Sequence, residues 1–201
     1  MIMSEFLKNY VAETSAILGG LDGTEFEALA AGLATVRDGG GRLFLLGVGG
    51  SAGHASHAVN DFRKICGFEA YTPTDNVSEL TARINDDGWD SAFSAWLEGS
   101  NLNAKDGVLV FSVGGGDAEK NISVIIIEAL KLAKSVGAKT FGIVGSPDGY
   151  TARTADACVV IPPLYPERRT PYAEGLCAVI WHALVSHPTL KTRQTKWESV
   201  T

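Results

Sequence analysis

The chain has 201 residues, 45% of them apolar, and a formal charge of −6. That length suits one domain with a full core, and scattered positive charges on an acidic chain leave no electrostatic footprint for nucleic acid. No apolar run is long enough to cross a membrane, and MIMSEFLKNY lacks the apolar centre of a signal peptide, so a cytoplasmic protein without a membrane partner is expected.

Two amphipathic helices open the chain, over 3–18 (Phe6, Tyr10, Val11, Thr14, Ile17) and 24–37 (Phe26, Leu29, Ala30, Leu33, Val36). Lying ahead of the first strand, they cannot be crossovers; their apolar stripes cover the edge of the sheet or face a neighbouring subunit. Leu43-Phe44-Leu45-Leu46 is a short buried strand. Gly47, Val48, Gly49, Gly50 and Ser51 make a glycine-rich turn into the next helix, where bare N–H groups and the positive end of the helix dipole suit an anion. A short strand follows near 69–73. A helix is expected over 78–84 with Ser78 as N-cap, and another over 92–102. Gly107–Val113 is a second buried strand, followed by Gly114-Gly115-Gly116-Asp117 and a helix predicted over 119–136. Strands at 139–145 and 157–161 bracket a helical turn over 150–155. The last helix, 170–186, is apolar almost all round. The polar tail from 189 to 201 is expected to fray beyond a domain of residues 1–188.

Strands alternating with helices imply an α/β fold, a doubly wound five-stranded parallel sheet of order 2-1-3-4-5 with extra N-terminal helices. The two glycine-rich turns follow the first and third strands, which are neighbours at the reversal point, so both face one crevice. Cys66, Cys158 and Cys177 form no CxxC pair and read as reduced packing residues.

His57 and Asp61 sit one turn apart on one helix face beyond the first loop. Glu174 and His182 interrupt an otherwise apolar helix, where they are costly unless paired or ligated. Together the four suit zinc or a similar divalent ion; a buried ion pair with a core histidine is the structural alternative. Glu174 and His182 are about 12 Å apart along their helix, so one ion takes both only at full reach or across subunits. In the second loop, Ser112 offers a hydroxyl, Gly114, Gly115 and Gly116 offer N–H groups, and Asp117 either faces the anion or caps the next helix from outside. Lys120, Arg63 and Lys64 are candidate counter-charges. Asn85 and Asp86 either contact sugar hydroxyls or end a helix. His54 reads as loop-lining and His187 as surface. A dinucleotide fingerprint (Gly47, Gly49, Ala52) lacks an acid at the end of the second strand, since Asp75 lies beyond Pro73.

GVGGSAGHASHAVND, SELTARINDDG and the E-x7-H spacing of Glu174 and His182 resemble the sugar isomerase (SIS) domain family, and within it the phosphoheptose isomerases. The resemblance runs to about residue 187 and implies a flavodoxin-like SIS fold. It also implies an aldose–ketose isomerase converting sedoheptulose 7-phosphate to a D-glycero-heptose 7-phosphate through an enediolate. It assigns the metal, most simply zinc, to His57, Asp61, Glu174 and His182, with Asp61 as base and His182 as acid. It assigns substrate contacts to Val48, Gly49, Gly50, Ser51, Asn85, Asp86, Ser112, Val113, Gly114, Asp117 and Glu174, and implies a homotetramer with active sites between subunits. The chain departs from the family at Val48 (an asparagine there), Asp61 (glutamate), Glu174 (glutamine), and Gly114 and Asp117 (serines). A non-catalytic SIS module binding a sugar phosphate, or a protein such as the replication initiator, is the alternative the altered second loop favours.

Overall fold

The computed structural model describes residues 4–199; the predicted helix start at Met3 lies outside them. In chain order the elements are α1 (Glu5–Gly19), α2 (Gly23–Asp38), β1 (Leu43–Leu46), α3 (Gly50–Lys64), β2 (Ala70–Tyr71), α4 (Val77–Asp87), α5 (Ala92–Gly99), β3 (Gly107–Ser112), α6 (Val124–Ser135), β4 (Lys139–Val144), α7 (Tyr150–Thr154), β5 (Ala157–Val160), α8 (Arg169–Ser186) and α9 (Lys196–Ser199). The five strands form one parallel sheet in the order β2-β1-β3-β4-β5, as the alternation of elements predicts.

Period-two alternation along β1 divides the core. Leu43 and Leu45 point to the face covered by α2, α3 and α8, where Leu33, Phe62 and Trp181 are fully buried. Phe44 and Leu46 point to the other face, under α5 and α6, with Phe93, Ile125 and Leu130. α2 therefore packs on the sheet. α1 buries only Ile17, and Phe6, Leu7 and Val11 on its outer side remain exposed.

Three differences from the sequence reading have local causes. Asn76, not Ser78, caps α4 by accepting from the Glu79 N–H, and the helix runs on to Asp87 because Gly88, at φ +90°, is the first residue suited to end it. α6 begins at Val124, not Glu119, because Asn121 and Ser123 take left-handed backbone angles (φ +56° and +52°) that no helix accommodates. The tail is not frayed at its start: the Arg37 guanidinium donates to the Thr189 and Leu190 carbonyls, and the Thr192 and Arg193 N–H groups donate to the Ile65 carbonyl. Leu190 is 0% exposed. Leu190→Ala is accordingly expected to cost about 2–4 kcal/mol, measured by urea denaturation; a change within about 0.5 kcal/mol means the tail adds nothing to the core.

Candidate active site

The close turn after β1 depends on two glycines. A Cβ on Gly47 would stand 2.3 Å from the Ser51 carbonyl oxygen, and Gly49 has φ +62° and ψ −126°, a region open essentially to glycine alone. α3 therefore starts abruptly, with no side chain bonding its first N–H groups. α6 starts the same way, with Ser123 at its N-cap position and no side-chain cap. Both N-termini open onto one cleft of about 320 Å³ at the C-terminal ends of β1 and β3, lined by Val48, Ser51, Ser112, Val113, Gly114 and Ser123, with Glu174 from α8. This is where a doubly wound sheet places its ligand.

Ser123 is the residue the sequence reading missed. It brings a third hydroxyl beside Ser51 and Ser112, in the role sequence had offered to Asp117. Ser112 Oγ also accepts from the Gly115 N–H at 3.0 Å, which fixes the loop. Asp117 turns outward: its carboxylate accepts from the Glu119 and Lys120 N–H groups (3.1 and 3.0 Å) and from Lys120 Nζ (2.9 Å). The bond from the Lys120 side chain holds the Asp117 carboxyl below its usual range and raises the Lys120 ammonium above its own. Asp117 thus closes a turn and neither lines the cleft nor caps α6. A serine just before Val124-Ile125-Ile126-Ile127 was the available signal for Ser123.

Six residues along α3 from Ser51 and eight along α8 from Glu174, about 9 and 12 Å of helix, three side chains converge. Asp61 Oδ2 lies 3.7 Å from His57 Nε2 and 3.8 Å from His182 Nε2, and ligand atoms of all three fall within 4.8 Å of one another. Asn60 Nδ2 donates to the other oxygen, Oδ1, at 2.8 Å. His182 Nδ1 lies 2.7 Å from the Ala178 carbonyl, which only accepts, so Nδ1 carries the hydrogen and a neutral ring turns the Nε2 lone pair toward Asp61. Trp181, fully buried, backs both rings, with centroids 4.8 Å from His57 and 3.5 Å from His182. The gaps are too long for hydrogen bonds. They lie close to the roughly 3.3–3.6 Å that separates two atoms each 2.0–2.2 Å from a shared tetrahedral zinc. Two imidazoles and a carboxylate with an open fourth position fit such an ion. The imidazoles are about half exposed (57% and 50%), so the site is reachable from solvent.

Glu174 is not brought to these three. Its carboxylate lies against Gly50, with Oε1 2.7 Å from where a Cβ would be, at the start of α3. Asn85 Nδ2 donates to Asp86 Oδ1 at the exposed end of α4, and neither residue lines the cleft. His187, read as surface, is half-buried: its ring packs on Phe26 and its Nε2 lies 3.3 Å from Glu27. The three thiols are free and buried, and burial pushes each up to about 12, which leaves them poor nucleophiles. No helix among the described residues is long and apolar enough to cross a membrane.

The chain matches no protein-family model. It is 31% identical over 150 residues to the phosphoheptose isomerase of a Nitratiruptor species, covering 72% of this chain and 74% of that one. It is 30% identical over 166 residues to the phosphoheptose isomerase of a Bradyrhizobium species, covering 78% and 80%. The solved phosphoheptose isomerase of Neisseria gonorrhoeae has the same fold, with a TM-score of 0.78 at 23% identity over 90% of this chain and 97% of that one.

Proposed function

Because the chain belongs to the phosphoheptose isomerase family and is a sugar-phosphate isomerase, we propose that it interconverts sedoheptulose 7-phosphate and a D-glycero-heptose 7-phosphate. The observation that carries this reading is the meeting of His57, Asp61 and His182 beside a cleft built from two uncapped helix N-termini.

The phosphate lies in that cleft, against the first N–H groups of α3 and α6 and the hydroxyls of Ser51, Ser112 and Ser123. The carbon chain runs from there toward the imidazoles. Asp61 accepts the proton that leaves C1 of the ketose and returns it to C2. His182, through Nε2, takes the proton of the C1 hydroxyl and delivers one to the C2 oxygen, so that the electron pair of the broken C–H bond is held as the enediol and then closes the new C–H bond. His57, Asp61 and His182 are the residues that would hold a divalent ion, zinc being the simplest match to two imidazoles and a carboxylate. Such an ion would supply positive charge where the substrate oxygen turns negative and, while it held His182 Nε2, would take over that ring's part at the oxygen. The exposed Phe6, Leu7 and Val11 of α1 are the surface we assign to a neighbouring copy in a homo-oligomer.

The test is a coupled assay of the purified protein with sedoheptulose 7-phosphate, before and after chelation and with zinc restored. Turnover that falls on chelation and returns with zinc supports the assignment. Absence of turnover with metal present rejects this substrate.

A further inference from the structure

We infer that Lys120 is the cation of the phosphate site, giving up Asp117 for the phosphoryl oxygens when substrate binds and so selecting phosphorylated over free sugars. This rests on the sugar-phosphate reading above and adds the charge that reading lacks. None of the residues lining the cleft is a lysine or arginine, and one of them, Glu174, is a carboxylate. A phosphomonoester brings about −1.5 to −2 further charges near neutral pH. Helix dipoles and hydroxyls solvate such a group but carry no full positive charge to offset Glu174.

Lys120 sits on the turn that walls this cleft. Asp117 and Ile122 close the turn through two backbone hydrogen bonds of 2.9 Å, and Ile122 and Ser123, at its far end, line the cleft. Gly114, three residues before Asp117, lines the cleft too, so the backbone that carries Lys120 is flanked on both sides by residues that touch the ligand space. Its side chain is 74% exposed, and its pairing with Asp117 at 2.9 Å is an open surface contact. Such pairs contribute little and exchange partners readily, while a phosphoryl group offers more charge and more acceptor oxygens than one carboxylate. Asp117, Glu119 and Asp148 are the carboxylates that act on Lys120, and Asp117 alone hydrogen-bonds it. Asp117 thus holds the lysine outward, off the cleft lining, until a stronger anion competes for it. Arg63, Lys64 and Arg193 border a different cleft at the far end of α3 and do not serve this one.

The experiment compares the full-length protein with Lys120→Gln, Lys120→Arg and Asp117→Asn. It measures kcat and KM for the phosphorylated ketose, and the affinity for inorganic phosphate by calorimetry. Lys120→Gln is expected to raise KM and weaken phosphate binding about tenfold or more, with kcat changed less than about twofold. Lys120→Arg keeps most of the affinity, and Asp117→Asn, which frees the ammonium, tightens phosphate binding. Unaltered KM and phosphate affinity in a folded Lys120→Gln protein overturn the inference, as does wild-type protein that binds no phosphate. A fall in kcat with binding intact overturns it too. If the wild type binds phosphate but does not turn over sedoheptulose 7-phosphate, the substrate assignment fails while the calorimetry still decides the role of Lys120.

Discussion

Asp61→Asn is expected to lower kcat by about 10²–10⁴-fold and to weaken zinc binding by at least about 100-fold. Asp61 is the shared member of the group: its Oδ2 faces His57 Nε2 at 3.7 Å and His182 Nε2 at 3.8 Å, and its side chain is only 14% exposed. The substitution keeps shape and volume but removes the negative charge, and it presents either a weaker ligand oxygen or an NH₂ group to two ring nitrogens. Both consequences point the same way, so kinetics alone would not separate them. Competition with a chromophoric chelator reports the ion, and turnover at saturating zinc reports the proton transfer. Turnover within tenfold of wild type at saturating zinc removes Asp61 from the chemistry.

A large loss of stability, about 3 kcal/mol, is expected from Asp106→Ala. Asp106 is 1% exposed and precedes β3. Its carboxylate accepts from the Arg42 N–H, from Arg42 Nε and Nη2, and from the Asn103 N–H and Nδ2. Arg42 is raised above its ordinary value, chiefly by the hydrogen bonds to Asp106, and its guanidinium also donates to the Ser100 and Asn101 carbonyls. Removing the acid leaves several donors without an acceptor where β1 and β3 begin. Arg42 keeps access to water, with a side chain 24% exposed, which places the cost at the lower end of the range for broken buried pairs. At roughly 2–4 °C per kcal/mol for a chain of this size, Tm falls by about 6–12 °C. A shift below about 2 °C in a thermal melt would show that the carboxylate only neutralises Arg42.

Strand order and the shared crevice are legible in sequence because they rest on repeated signals: apolar runs of fixed length, helical periods between them, and glycines where the chain must turn tightly. The pairing of His57 with Asp61 follows from helical spacing. Their meeting with His182 needs tertiary packing of α3 on α8; the cost of an unpaired imidazole in an apolar helix suggested it, and the family resemblance implied the same set. Within this chain the Glu174 carboxylate stands by Gly50 and not with the imidazoles, as about 12 Å along one helix implies. The region from Asp117 to Ser123 misled for a physical reason. Its composition suits a helix, but an Asx-type turn at Asp117 and left-handed angles at Asn121 and Ser123 override that preference. The tail's polarity likewise concealed Leu190, one apolar residue seated in the core.

Trp181 stands directly behind both imidazoles and is shut off from water. Its indole emission is therefore expected to respond when either ring reorients, and a variant in which Trp89, Trp96 and Trp197 are replaced by Phe isolates that signal. Binding at the group of His57, Asp61 and His182 proposed as the catalytic centre would then be readable in a cuvette, without label or turnover.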